Sequence, residues 1–301
     1  MNDPAAAALL PALLDKAGLP PGPRRELVRQ VFPFSGVWRL RYPQQAATVI
    51  YKEAWAPLDR EDAALRYAAA RAIPVPYLIA SHHEDGKAGI LMTDLGRPAQ
   101  PVTSAYAVPL AVRIHRAPGT GLPVIDAAAL AAMPQRIADR AAAHGLPPAT
   151  AASAARIARS ARRLAAPAMI QPVGLCHSEW HPESVLIDRD GRPYVYDWAR
   201  AFKGPCLLDL ASWHGTRQPP DPAALRAHIT AYVKAGGHHA AQAERAGLPA
   251  EAWALGWHRL WAADWYLRQL EMGWIPAQHM GSQREAIERH TAEAAELLRP
   301  W

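Results

Sequence analysis

Asp190-Gly191, set between the runs VLIDR and RPYVY, has the composition of a tight β-hairpin turn. With those two residues as the turn, Arg189 faces Arg192, and counting back along both strands predicts Ser184 opposite Asp197. Directly paired residues point to the same face of a sheet, so a hydroxyl and a carboxylate converge there. Glu179 lies in the segment just before. A four-residue turn would shift this register. Converging oxygen donors suit a hard cation such as Mg2+, which takes one or two carboxylates and completes its shell with water and phosphate. A second carboxylate close by is what group transfer to an alcohol requires, because it orients the hydroxyl and accepts its proton.

The elements that must hold these residues read as two regions of an α+β chain. Residues 31–42 and 47–54 are β-rich and separated by Pro43 and polar residues, which predicts a hairpin. Residues 58–72 have helix-forming composition with an acidic first turn, and IPVP at 73–76 stops them. YLIAS and GILMTDLG flank a polar turn at 82–87 and predict a second strand pair. Gly96–Pro101 is the best linker, so residues 1–95 form a small sheet-rich lobe and 96–301 a larger one. In that larger lobe, 103–117, 127–166 and 221–299 are helical in character, with the strand-and-turn segment 175–197 embedded among them. The N-terminus reads as a short Ala/Leu helix ending near Gly18 and then a Pro-rich link. Asp3 and Pro4 stand where a signal peptide carries positive charge.

The segment 177–184, His177-Ser178-Glu179-Trp180-His181-Pro182-Glu183-Ser184, followed by a hairpin ending in Asp197-Trp198, resembles the catalytic loop and metal site of the aminoglycoside phosphotransferase and choline kinase-like superfamily. The loop of that superfamily usually reads His-Gly-Asp-Leu-His-Pro-Gly-Asn. A branch of resistance enzymes for capreomycin- and viomycin-type peptides is similar in its Ser-Glu and Ser variants. The resemblance implies a two-lobed protein kinase-like fold and transfer of a phosphoryl group from Mg-ATP or Mg-GTP to a small-molecule hydroxyl, with a basic antibiotic or similar metabolite as acceptor. It places Glu179 as the base and Asp197 and Ser184 as metal ligands, and His177 is expected to orient the loop through backbone hydrogen bonds. Asp209 in LLDLASW takes the place of a helix cap that braces the loop. Lys52 is similar to the strand lysine that grips nucleotide phosphates, and Glu61 to its helix partner. Thr93 and Asp94 lie in the interlobe segment that binds adenine through backbone groups, and LAVRIH at 110–115 matches the helix that ends in Leu-His. Two replacements depart from the pattern, Glu for Asp at 179 and Ser for Asn at 184, and the loop before Lys52 offers only Ser35-Gly36 for close approach to phosphate.

Simpler readings stand beside these. Glu179 and Asp197 also suit a surface loop and a hairpin end, and a catalytically impaired nucleotide-binding module would carry the same residues. His177 and His181 flank Glu179 as zinc ligands do in metalloproteases, yet Pro182 argues for a loop where that motif needs a helix. Trp253, Trp257, Trp261 and Trp265 recur every four residues, the spacing of a core-facing helical stripe or of one wall of an acceptor cleft. Asp264 and Glu271 share a helix face and are candidates for binding a cationic acceptor. A net charge of +6 spread along the chain without interleaved aromatics does not support nucleic-acid binding. Two cysteines are too few for a disulfide framework, and a reducing cytoplasm is the expected compartment. No apolar run approaches the ~20 residues of a membrane span.

Overall fold

The structure is a computed structural model that describes residues 6–31, 35–43 and 47–299. The expectations about Asp3, Pro4 and the tip of the first hairpin lie outside those residues. In chain order the first elements are α1 (Ala6–Lys16), β1 (Arg24–Val31), β2 (Ser35–Arg41), β3 (Val49–Trp55), α2 (Glu61–Ala69), β4 (Leu78–Glu84) and β5 (Lys87–Thr93). Next come α3 (Ser104–His115), α4 (Ala127–Arg140), α5 (Pro148–Ala158), α6 (Ala161–Ala165), β6 (Val173–Cys176), β7 (Val185–Ile187), β8 (Pro193–Val195) and β9 (Phe202–Pro205). The chain finishes with α7 (Leu207–Ser212), α8 (Pro222–Lys234), α9 (Ala250–Glu271) and α10 (Met280–Leu297). No helix among the described residues is long and apolar enough to cross a membrane.

Two compact units result: Met1–Val102 with Glu183–Ala201, and Thr103–Pro182 with Phe202–Trp301. The division differs from the single cut expected after residue 95. The β7–β8 hairpin belongs to the first unit, because Val195 N donates to Pro74 O (2.8 Å) and Ala99 N to Ile187 O (2.9 Å). Such backbone pairings between distant segments leave no trace in local composition.

In the first unit the strands form one antiparallel sheet in the order β1-β2-β3-β5-β4. Strand β1 was not expected from the sequence, because RRELVRQV carries too much charge to look like a strand. Leu10, Leu13 and Leu14 of α1 lie at the i, i+3, i+4 spacing of one helical stripe. They bury one face of the sheet together with Leu40, Tyr51, Ala80 and Leu91. Tyr51 points into this core, so its neighbour Lys52 must project from the opposite face.

Helices dominate the second unit. Eight consecutive residues of α9, Trp253–Leu260, are buried, as expected of a helix surrounded by others. Trp253 donates from Nε1 to Leu164 O (2.7 Å). Trp253 and Trp257 are therefore core, while Trp261 and Trp265 are only half-buried.

Candidate active site

The free face of the sheet carries the chemistry. Two-residue alternation puts Val37 and Arg39 of β2, Ile50 and Lys52 of β3, and Met92 of β5 on that side. These side chains line a cavity of about 540 Å³ that also takes in Leu186, Tyr196 and Asp197 from the hairpin and residues 94–98. Small-molecule sites commonly have volumes of about 300–1,000 Å³. Its apolar walls (Val37, Ile50, Met92, Leu186) were not singled out from the sequence. The available signal was period-2 spacing from Lys52, which points to Ile50.

Lys52 closes one end. Its Nζ contacts the Glu61 carboxylate and lies 2.7 Å from Asp197 Oδ1. Burial opposes the ammonium charge, but the Asp197 and Glu61 carboxylates outweigh it and hold the Lys52 pKa above its ordinary value. Glu61 is pushed up by burial, against the pull of Lys52. Its second oxygen accepts from Trp198 N (3.1 Å), so the first residue of α2 ties both the lysine and the chain just after Asp197. Asp197 has φ +68°, in the left-handed region that residues with a Cβ adopt infrequently and that its surroundings hold here. Buried Trp198 supplies that constraint, donating from its indole to Val195 O (3.0 Å).

Ser184 is not opposite Asp197. The observed pairs are Val185 with Val195, Leu186 with Tyr194 and Ile187 with Pro193, which puts Ser184 against Tyr196. The turn is a three-residue loop, with Gly191 N donating to Asp188 O (3.1 Å) and Gly191 at φ +76°. The Asp188 side chain organises it by accepting from Asp190 N (2.9 Å) and Arg192 N (2.8 Å). One extra loop residue moves the pairing by one and exchanges the faces.

At the cavity's other end, Asp94 accepts from Arg39 Nε (2.5 Å), Thr48 Oγ1 (2.5 Å) and Gly96 N (2.9 Å). Burial would raise its pKa, but these donors prevail and lower it. The Asp94 side chain thus shapes the 94–98 segment, and Thr93 exchanges hydrogen bonds with Tyr77. Ser35 and Gly36 open β2 and do not line the cavity. A Cβ on Gly36 would lie 2.0 Å from the Trp38 indole, so this glycine makes room for Trp38. Position 34 of the same loop lies outside the described residues.

The loop bearing His177 and Glu179 belongs to the second unit and is held from beneath. Asp209, inside α7 rather than capping it, accepts from His177 N (2.6 Å) and Ser178 N (2.8 Å), with His115 Nε2 at 3.4 Å. Trp180 is fully buried against Trp213 and His177, which anchors the loop and leaves Glu179 half-exposed. No helix runs through 177–181, and among the described residues no three His, Cys, Asp or Glu side chains gather around a metal position, so the zinc reading finds no support. Ser178 has φ +79°, and its buried hydroxyl has no hydrogen-bond partner among the described residues. A Ser178→Gly change relieves a left-handed penalty of about 1–2 kcal/mol and removes that hydroxyl, against about 0.5–1 kcal/mol of added chain entropy. Urea denaturation is expected to show a gain of about 1 kcal/mol; an unchanged or lower midpoint would contradict the strain.

Asp264 and Glu271 are not available to a cationic acceptor. Asp264 takes a bidentate pair from Arg136 (both 2.9 Å), and Glu271 is held by Arg140 (2.6 and 2.7 Å). These arginines of α4 face α9 and satisfy the carboxylates there, a pairing invisible from the α9 sequence alone.

A buried lysine paired with a helix glutamate and with Asp197 thus stands beside an apolar-walled cavity. The chain belongs to the phosphotransferase enzyme family (APH), whose sequence profile matches residues 50–248. Among solved structures it is similar to a protein of Ralstonia eutropha JMP134 provisionally assigned as an aminoglycoside phosphotransferase (14% identity, 98% of each chain covered, TM-score 0.64). It is also similar to spectinomycin phosphotransferase APH(9)-Ia in complex with ADP and spectinomycin (14% identity, 91% of this chain and 93% of that one, TM-score 0.58). A third, provisionally assigned as a fructosamine-3-kinase from Haemophilus somnus 129PT, shares 12% identity over 96% of this chain and 99% of that one (TM-score 0.60). No curated protein matches the chain. At these identities the likeness establishes the fold: α+β, kinase-like, a five-stranded antiparallel sheet followed by a mostly helical region.

Proposed function

We propose that this phosphotransferase moves the γ-phosphoryl group of Mg-ATP or Mg-GTP to a hydroxyl of a small molecule. The observation that carries this is Lys52, buried and poised between Glu61 and Asp197 at one end of a cavity walled by Val37, Ile50, Met92 and Leu186. The apolar walls would take a purine and the ammonium its phosphates. Asp197, one-third exposed beside that cation, suits a magnesium ion that takes one carboxylate and finds its other ligands in phosphate and water. When bound, magnesium would neutralise charge developing on the phosphate oxygens. Ser184 is the proposed second ligand. Glu179 orients the acceptor hydroxyl and takes up its proton, and His177 fixes the loop that presents it.

The acceptor class is an amino- or guanidino-bearing antibiotic or a sugar-like metabolite, in keeping with the spectinomycin- and fructosamine-related structures that share the fold. Mg-dependent release of ADP, stimulated by one member of a panel of hydroxylated antibiotics and sugar amines, tests the reading. Glu179→Ala is expected to lower that turnover by about 100- to 10,000-fold. Full turnover in the variant would remove Glu179 from the mechanism. A second reading, a nucleotide-binding module with impaired transfer, is favoured by Ser184, which is buried and one step out of register with Asp197. It predicts ATP binding with no acceptor-stimulated ADP release.

A further inference from the structure

The β1–β2 ladder contains a bulge. Leu27 pairs with Trp38, yet Arg29 pairs with Val37, so Val28 is an extra residue. Trp38 and Leu40 belong to the α1 side of the sheet, and Arg25, opposite Leu40, stacks over Trp38 on that side (4.6 Å). Regular alternation would send Arg25, Leu27 and Arg29 all to the α1 face. The bulge resets the pairing, so Arg29 follows Val37 onto the cavity face. Val37 is itself paired with Lys52. Arg29, Val37 and Lys52 therefore form one cross-strand row, with the two cations two strands apart, about 10 Å between backbones. Arg39, Ile50 and Met92 make the adjacent row toward the 94–98 segment.

Arg29 lines the cavity and is exposed, and among the described residues no carboxylate pairs with it. The neighbouring arginines are satisfied, Arg39 by Asp94 and Arg41 by Glu26. Its charge is felt at Tyr196, the residue before Asp197. A cation turned into a pocket by a dedicated bulge, level with Lys52 and left without a counter-ion, is suited to an anion that arrives with the ligand. Guanidinium provides the planar fork that matches phosphate oxygens.

Resting on the nucleotide reading above, we infer that Arg29 is a phosphate-binding residue of this site, adding a second side-chain cation to that of Lys52. It grips the polyphosphate from the β1 side while Lys52 grips it from β3.

Calorimetric titration of the full chain with ATP, ADP and adenosine tests this in wild type, Arg29→Ala, Arg29→Lys and Lys52→Ala. Arg29→Ala is expected to weaken ATP and ADP about 10- to 100-fold while adenosine affinity stays within twofold. Arg29→Lys should recover part of the loss. In turnover assays the effect falls on KM for the nucleotide more than on kcat. Equal ATP affinity in Arg29→Ala and wild type overturns the inference, and so does a parallel loss for adenosine, which would mark a structural role. If wild type binds neither ATP nor adenosine, the nucleotide reading fails with it. If Lys52→Ala loses ATP and Arg29→Ala does not, only the role of Arg29 is wrong.

Discussion

Lys52→Met is expected to lower phosphoryl transfer by about 100- to 1000-fold and, independently, to destabilise the first unit by about 3–5 kcal/mol. On the proposed reading, the transfer loss follows from removing the ammonium that lies 2.7 Å from Asp197 and would meet the phosphates. The stability loss arises because Glu61 is only 1% exposed and would lose its buried counter-charge. Burial already raises the Glu61 pKa, and loss of the lysine removes the main force opposing that rise. A carboxyl whose folded pKa lies above its unfolded value stabilises the fold at low pH, and that contribution disappears as pH rises through the folded pKa. The deficit of the variant should therefore shrink on acidification from neutral pH toward 5 and grow at alkaline pH. Chemical denaturation across that range checks it. A deficit independent of pH would mean that Glu61 does not take up the proton. Lys52→Met with Glu61→Gln should restore much of the stability and none of the transfer.

The second large effect is expected at Asp209. Its carboxylate is 1% exposed and accepts from two consecutive backbone amides, His177 and Ser178. Asp209→Ala leaves both buried donors unpaired, at about 1–3 kcal/mol each. A loss of about 3 kcal/mol in stability is expected, with turnover reduced at least tenfold because Glu179 follows directly on the freed backbone. Asp209→Asn keeps one acceptor oxygen and should lie between. Amide hydrogen exchange separates the two consequences: protection at 177 and 178 falls in Asp209→Ala even where the rest of the unit stays protected. Retained protection there would show that the loop is held by something other than this carboxylate.

Much of the local architecture could be read directly from residue order. The strand pair around 82–87 closes with Asp85 and Gly86 both at positive φ, the two-residue turn their types favour. The helix ending in His115 and the hairpin after Ser184 also fall where expected. The Asp209 brace was expected too, though as a cap. Turn chemistry, helix stops and alternation act over a few residues, and so they are written locally.

What composition could not decide were features set by partners far along the chain. The Asp188 side chain lengthens the hairpin loop by one and separates Ser184 from Asp197 in register. A bulge at Val28 turns Arg29 toward the cavity, and the Trp38 ring fills the space that a Cβ on Gly36 would need. Two arginines of α4 claim Asp264 and Glu271, more than a hundred residues away. By itself the sequence determined which chemical groups are present and which short elements carry them. Only tertiary structure decided which face each group meets and which charges are already answered, because a one-residue change in pairing, or one buried counter-ion, costs little in local propensity yet reverses what a side chain can reach.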